Sequence, residues 1–195
     1  LPAKRFCLII VIMESKTEEP EKILIEEFLN GNEKAFNELI RKYQKGIYWH
    51  ARRMVGNHLD ADEITQQVII VIYKKLSSFK GNSSLKTWIY RITSNRCLNF
   101  IRRRKIKEYL NLDDVEASSL KNDEDILTNL EDRELLETVQ KVLDELPLKQ
   151  KEIFIYRHFD GLNYNEISEI TGKSIGGLKA NYFHALKKVL KMVEK

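Results

Sequence analysis

The chain has 195 residues, a formal net charge of +4, two cysteines, three prolines and eight glycines. With only Cys7 and Cys97, and no close group of cysteines and histidines, a disulfide framework and a zinc site are excluded, and a reducing cytoplasm fits best. Few helix breakers, and apolar residues spaced three or four apart, predict an all-α protein of two small helical domains joined by an acidic linker.

Residues 1–22 are expected to form an N-terminal extension. The apolar run that ends near Met13 is far shorter than the roughly 20 residues that cross a bilayer, so no membrane span is expected there. No small-residue cleavage site of a signal peptide lies between this run and the charged residues that follow it. We interpret Met13 as the native start and the charged lead-in after it as disordered.

Three helices are predicted to begin the first domain, which we place at 23–107. A short helix from Ile23 and a longer one ending near Val55 flank the turn 30–32. The third helix, 61–76, has Asp60 as its expected N-cap. Its polar side carries acids and amides, and the helix dipole alone accounts for the acids.

A basic helix is predicted to end the first domain. Residues 86–107 hold eight cations, no acid, and the aromatic residues Trp88, Tyr90 and Phe100. Cations neutralise phosphates and aromatic rings stack on bases, so the pattern favours nucleic-acid binding. The alternative is a core helix with a solvated basic face. We expect these side chains to face the core: Trp88, Ile92, Cys97 and Ile101. We expect these to lie nearer solvent: Tyr90, Arg91, Asn95, Arg96, Asn99 and Arg103.

An acidic linker is predicted at 108–131. Residues 110–134 hold nine acids against two cations, a charge of −7, with no sustained apolar period. A poorly patterned extra helix is the alternative.

The second domain, 132–195, is predicted to contain a helix-turn-helix. A helix ended by Pro147 and another over 149–159 precede the short helix 164–171 and a helix capped by Ser174 that runs to about Met192. In this last helix Leu178, Tyr182, Ala185 and Val189 are expected to point inward. Small residues at its start let the backbone approach a DNA groove, and the outward residues are Lys179, Asn181, His184, Lys187 and Lys188. An ordinary helical hairpin is the alternative.

Four motifs in this order resemble those of bacterial sigma factors of the extracytoplasmic-function group of the sigma-70 family. They are Asp60–Val68 (DADEITQQV), Phe79–Gly81 (FKG) with Leu85–Ile92 (LKTWIYRI), Leu146–Phe154 (LPLKQKEIF), and Gly161–Ser168 (GLNYNEIS) running on to Gly176–Lys179 (GGLK). The resemblance implies sigma region 2 in the first domain and sigma region 4 in the second. It also implies three partners: core RNA polymerase, promoter DNA and an anti-sigma factor.

The resemblance assigns side chains to three surfaces. Those expected to bind core polymerase are Asp60, Glu63, Gln66 and Gln67. Those expected at the −10 element are Lys86, Trp88, Tyr90, Arg91, Asn95, Arg96, Asn99 and Arg103. Those expected at the −35 element are Ser174, Gly176, Gly177, Lys179, Asn181, His184 and Lys187. Asn181 stands where the family often has arginine, and an amide side chain pairs best with adenine.

Two other functions fit parts of the sequence. A stand-alone helix-turn-helix regulator would bind a symmetric operator without polymerase, and a phosphorylation-switched response protein would need a strand-rich receiver domain. We expect no catalysis, cofactor, metal site or small-molecule substrate, because there is no glycine-rich phosphate loop and no Ser/His/Asp arrangement. The scattered histidines are interpreted as surface or core residues: His50, His58, His158 and His184.

Overall fold

The computed structural model describes residues 18–110 and 130–193. These residues form eight α-helices, one 3-10 turn and one π-helical turn, and within them there is no strand. The all-α prediction is therefore confirmed for the part of the chain that the structure describes. Of the predicted extension 1–22 and the predicted linker 108–131, residues 1–17 and 111–129 lie outside the described residues. Residues 18–22, expected to be disordered, already belong to the first helix, and 108–109 and 130–131 are also helical, because the charged residues there continue the neighbouring helices.

The first domain consists of α1 (Glu18–Leu29), α2 (Glu33–Val55), α3 (His58–Lys75) and α4 (Leu85–Tyr109). The predicted turn between the first two helices is present, and the Asn32 side chain caps α2 by accepting from the Lys34 N–H. Gly56, at φ 94°, ends α2 in the left-handed conformation that glycine adopts most easily. Helix α2 is central because it packs against α1, α3 and α4.

Helix α3 begins earlier than predicted. Asn57, not Asp60, is its N-cap: Asn57 has extended backbone angles and its side chain accepts from the Asp60 N–H at 2.9 Å. Asp60 therefore lies inside the first turn, where its charge is stabilised by the positive end of the helix dipole. After α3, a 3-10 turn at Leu76–Ser78 leads into the loop before α4.

Helix α4 is buried on two sides in its N-terminal half, which differs from the predicted single core face. Ile89 and Cys97 are fully buried, and Tyr90, expected near solvent, is only 6 % exposed. The reason is that α4 packs against α2 and α3 on one side and against the second domain on the other. Its C-terminal half, from Arg102 onward, is exposed.

The second domain consists of α5 (Leu130–Asp144), α6 (Leu148–Phe154), the π turn Ile155–Phe159, α7 (Tyr164–Thr171) and α8 (Ile175–Val193). Pro147 lies at the N-cap of α6, as expected of a residue that cannot extend the preceding helix. Asn163 and Glu166 form a reciprocal capping box at the start of α7, and Gly172, at φ 68°, ends it. The short and long helices of the predicted helix-turn-helix are thus both present.

The two domains share apolar packing. Leu143, Phe154 and Ala185 of the second domain join the core built around α2 and α3. In return, Tyr90 of α4 joins the second domain's cluster around Tyr156 and Leu178. The two domains therefore lie in direct contact, which the sequence did not predict.

Candidate nucleic-acid and protein interfaces

The polar side of α3 is an exposed stripe. Glu63 and Gln66 are exposed and Gln67 is half-buried, and two hydrogen bonds order the amides: Gln66 Nε2 donates to Asp62 and Gln67 Nε2 to Glu63, both at 2.8 Å. Such i,i+4 pairs hold extended side chains flat on the helix surface. Asp60 lies at the start of the stripe, 3.9 Å from Arg104 of α4 and still 27 % exposed.

Two apolar side chains on this stripe were not singled out from the sequence. Leu59 is 60 % exposed and Ile70 is 53 % exposed. With Glu63 and Gln66 they fall four, three and four residues apart, the spacing of one helix face. Their exposure could have been predicted from the sequence. Ile64, Val68 and Ile72 already form the buried side of the helix, so Leu59 and Ile70 fall on the opposite side. Exposed aliphatic side chains bordered by polar groups on one helix face are typical of a protein-binding surface.

The loop before α4 is held by packing and by a cap. The Trp88 ring lies 5.3 Å from the Phe79 ring, which fixes the start of the loop against α4. Ser84 caps α4 by accepting from the Thr87 N–H. Gly81 has φ 70°, so the loop makes a tight bend that a residue with a side chain would strain.

Three of the residues expected at the −10 element contact the second domain. Lys86 Nζ donates to the Asp160 carbonyl at 3.2 Å, and Arg91 Nη2 donates to the Glu169 carbonyl at 2.8 Å. Tyr90 is buried between the domains, and this burial raises the pKa of its hydroxyl well above the ordinary value. The N-terminal half of α4 is therefore covered.

The remaining residues expected at the −10 element are more accessible. Asn95 is exposed and lines a cavity of about 210 Å³ together with Glu152 and Lys173 of the second domain. Arg96 is half-buried, while Asn99 and Arg103 are exposed. The structure therefore divides the predicted −10 surface into a covered N-terminal part and an open C-terminal part.

Helix α8 presents the small and cationic residues that the sequence assigned to its outer face. The Ser174 side chain accepts from the Gly177 N–H at 3.3 Å, and the position of a Gly176 Cβ is open space. The Asn181 amide nitrogen donates to the Gly177 carbonyl at 2.8 Å, so the amide oxygen is not used in this bond. The other predicted contacts are exposed on the same helix: Lys179, His184 and Lys187. Leu178 and Ala185 are fully buried, as predicted, whereas Tyr182 and Val189 are half-buried.

The turn between α7 and α8 is rigid. The Ser168 hydroxyl donates to the Lys173 carbonyl at 2.7 Å, and Thr171 Oγ1 accepts from the Lys173 N–H at 3.4 Å. Phe183 is 63 % exposed and lies on α8 between the predicted contacts Asn181 and His184. It was not singled out from the sequence, although it falls outside the inward-pointing stripe. A short helix, a fixed turn and a longer helix with an exposed polar face make up the geometry that enters a DNA major groove.

Within residues 18–110 and 130–193 there is no cluster of histidine, cysteine and carboxylate side chains arranged to hold a metal ion. Over the same residues, no helix is long and apolar enough to cross a membrane. Cys97 is fully buried, and burial raises the pKa of its thiol.

A basic helix next to a capped loop, and a helix-turn-helix in a second domain, define the class: a DNA-binding transcription protein. Residues 39–106 match the family described as Sigma-70 region 2, and residues 136–189 match Sigma-70, region 4. The chain belongs to the extracytoplasmic-function group of the sigma-70 family of bacterial RNA polymerase sigma factors. Its function is promoter recognition in transcription initiation, and a stand-alone regulator is not favoured.

Relatives and solved structures agree with this. The chain is 30 % identical over 165 residues to the sigma factor SigW of Bacillus subtilis, which covers 80 % of this chain and 87 % of that protein. It is 28 % identical over 185 residues to the sigma-H factor of Pseudomonas aeruginosa, covering 91 % and 96 %.

Two solved structures share the fold. CnrH, in complex with the cytosolic domain of CnrY, has a TM-score of 0.70 and 18 % identity, covering 90 % of this chain and 98 % of that one. The sigma factor RpoE of Bartonella quintana, in complex with the anti-sigma factor NepR, has a TM-score of 0.67 and 21 % identity, covering 83 % and 98 %.

Proposed function

We propose that three surfaces divide the work of this sigma factor: the α3 stripe binds core RNA polymerase, α4 and its preceding loop bind the −10 element, and α8 binds the −35 element. The observation that carries the proposal is the α3 stripe itself. Leu59, Glu63, Gln66 and Ile70 project from a helix whose opposite side is buried, so the stripe is available without rearrangement. In line with the family resemblance, its target is the coiled coil of the largest polymerase subunit.

The −10 surface would melt and hold one DNA strand. A base that leaves the duplex needs an aromatic or apolar pocket and amide partners, and the backbone beside it needs cations. The loop fixed by Trp88 and Phe79 would receive the base, and Asn95 and Asn99 would hydrogen-bond to base edges. Lys86, Arg91, Arg96 and Arg103 would neutralise phosphates, and Tyr90 would stack once the domains separate.

The −35 surface would insert the start of α8 into the major groove. Ser174, Gly176 and Gly177 carry little bulk, so the backbone can approach the phosphates closely. Asn181 would accept from and donate to an adenine edge after releasing the Gly177 carbonyl. Lys179, His184 and Lys187 lie one to three turns further along α8 and would contact the backbone or neighbouring bases.

The protein would act in the cytoplasm, where the polymerase is, and would have no catalytic activity of its own. An anti-sigma factor is a further proposed partner, supported by the sigma factor RpoE of the same fold, which was solved with the anti-sigma factor NepR. Proteins crosslinked to the full chain in its host would be identified by mass spectrometry and added to transcription reactions. A true anti-sigma factor would abolish initiation that depends on this chain and leave initiation by another sigma factor unchanged.

The experiment that tests the division of work is in-vitro transcription with core polymerase on genomic fragments, with start sites mapped with and without the full chain. We expect new starts that share two spaced elements. Glu63→Ala with Gln66→Ala should weaken core binding, Asn99→Ala should weaken melting near −10, and Asn181→Ala should relax one base of the −35 element. Glu38→Ala, an exposed change on α2, is the control. No dependent start, or binding to a palindrome without polymerase, would contradict the proposal.

A further inference from the structure

We propose that the free chain is closed by its own second domain, which occupies the N-terminal half of the −10 surface, and that the buried pair His50–Asp160 holds this closed form together. The inference rests on the proposed role of α4 at the −10 element. It adds a state in which the sigma factor cannot engage the melted strand although its polymerase-binding stripe is accessible.

The pair joins the two domains across 110 residues of sequence. His50 of α2 has no exposed surface and the Asp160 side chain is 3 % exposed, with His50 Nδ1 lying 2.6 Å from Asp160 Oδ2. The ring N–H donates to the carboxylate, so the bond is charge-assisted. Tyr156 stacks on the His50 ring at 5.0 Å and Tyr90 meets it edge-on at 5.6 Å, which excludes water from the pair.

The second domain supplies hydrogen-bond acceptors to the cations of α4 that DNA would otherwise contact. Lys86 donates to the Asp160 carbonyl, and Arg91 donates to the Glu169 carbonyl. In the proposed function, both cations bind DNA phosphates. Each contact uses one N–H donor of a side chain, and the second domain, which lies over both cations, keeps a DNA backbone from reaching them. Tyr90 is likewise engaged, since it is packed with the second domain's cluster. Closure and strand binding are therefore mutually exclusive.

A second polar contact lies one turn further along α4. The Ser94 hydroxyl donates to Glu152 at 2.8 Å, and Lys173 lies 3.6 Å from the same carboxylate. Glu152 is 6 % exposed, so its charge is stabilised by Lys173 within the second domain and by Ser94 across the domain contact. The −10 residue Asn95 lines the cavity beside this carboxylate.

The contact between the two domains buries several polar groups, which favours its opening. An obligate interface is dominated by apolar side chains, whereas this one also buries a carboxylate–imidazole pair and a second carboxylate, and it covers the Nε atoms of two arginines. His50 Nε2, Arg53 Nε and Arg91 Nε are buried with no hydrogen-bond partner among the described residues. Each gains a partner, water or phosphate, when the domains separate, which lowers the cost of opening. Core polymerase would select the open form by binding α3 and, only in that form, the separated second domain, because a ligand shifts an equilibrium only through different affinities for the two states.

Two labels on the full free chain test the closed form directly. Spin labels at Glu38→Cys and Lys188→Cys, in a Cys7→Ser background, report the separation of the domains; Cys97 is buried and left in place. We expect a single short distance in the otherwise unchanged chain. Asp160→Ala should move a large part of the population to longer distances, and Asp160→Asn, which keeps the side-chain size, should do so to a smaller extent. A distance distribution equal to the unchanged chain in both variants would overturn the proposal.

Glu169→Ala is the matched control. It removes one negative charge close to α4, but the contact with Arg91 uses the Glu169 backbone carbonyl, which remains. We expect its distance distribution to match that of the unchanged chain. Opening by Glu169→Ala as large as that by Asp160→Ala would show general charge repulsion rather than a specific pair, and would overturn the role of His50–Asp160.

The functional readout uses a single-stranded oligonucleotide of the −10 sequence mapped by transcription. The free Asp160→Ala chain should bind it about tenfold more tightly than the unchanged chain, because less of the population is closed. With core polymerase present the two should agree within about twofold. Equal affinities of the free chains would overturn the proposal. If the unchanged chain supports no start with core polymerase, the proposed division of work fails, while the distance measurement still decides whether the free chain is closed.

Discussion

The α3 stripe and the N-terminal half of α4 are both proposed binding surfaces, yet one is open and the other covered. The stripe exposes Glu63 and Gln66 to solvent, while Tyr90 and the polar ends of Lys86 and Arg91 contact the second domain. The difference implies an order of events. Polymerase can bind first, through a surface that needs no rearrangement, and strand binding follows only after the domains separate.

The largest effect is expected where α4 is buried on both sides. Ile89→Ala removes a fully buried side chain and should lower the free energy of unfolding by about 2–5 kcal/mol. Ile106→Ala, in the exposed half of the same helix, should change it by less than about 0.5 kcal/mol. Urea unfolding followed by circular dichroism measures both. Equal losses would contradict the contrast between the two halves of α4.

A smaller but distinct effect is expected on the open surface. Ile70→Asp places a charge at the C-terminal end of the α3 stripe and should weaken core polymerase binding about tenfold. Stability should not change, because Ile70 is already 53 % exposed. Fluorescence anisotropy of labelled chain titrated with core enzyme gives the affinity. Lys75→Ala, exposed but off the stripe, is the control; an equal loss there would argue against the stripe as the docking surface.

The next smaller effect is expected at the N-cap of α7, the helix that covers α4, and it concerns stability. Asn163→Ala removes the side chain that accepts from the Asn165 and Glu166 N–H groups, and should cost about 1 kcal/mol of stability. Thermal unfolding of the full chain measures the loss. Asn165→Ala, an exposed change in the same turn, should be nearly neutral, and a reversal of the two would mean that the capping box is not the stabilising feature.

The smallest effect is expected at the open end of α4. Arg103→Ala removes one exposed cation and should reduce the slope of log affinity against log salt by about one unit or less, with little change in base preference. Binding of the polymerase complex to promoter DNA at several salt concentrations measures the slope. An unchanged slope would remove Arg103 from the set of phosphate contacts.

Helical periodicity predicted the elements well, because each helix places its apolar residues on one side. The boundaries of α7 and the turn after it follow directly from Asn163, Gly172 and Ser174. The start of α3 was placed too late, since Asn57 and Asp60 are both good capping residues and only the backbone angles decide between them.

The domain contact could not be predicted in the same way. Periodicity shows which face of a helix is apolar, but not which polar groups pair across distant parts of the chain. Nothing in the sequence indicated that His50, interpreted as a surface or core residue, pairs with Asp160, and only the packing brings them together. Tyr90 was misplaced for the same reason. In the sequence, the small residues near Tyr90 indicate a second packed side of α4, because small side chains allow another helix to approach closely. These residues are Thr87, Thr93 and Ser94, and all three are buried.

The π turn at Ile155–Phe159 sets the direction in which the residues after it point around the helix axis. Its wider turn, seen in the Asp160 N–H donating to the Ile155 carbonyl, holds about one residue more than an α-helical turn. One residue corresponds to about 100° of rotation around a helix axis. Shortening the segment by one residue would therefore turn the Asp160 carboxylate away from His50 without changing a single side chain of the pair, so the alignment of the two domains depends on backbone length as much as on chemistry.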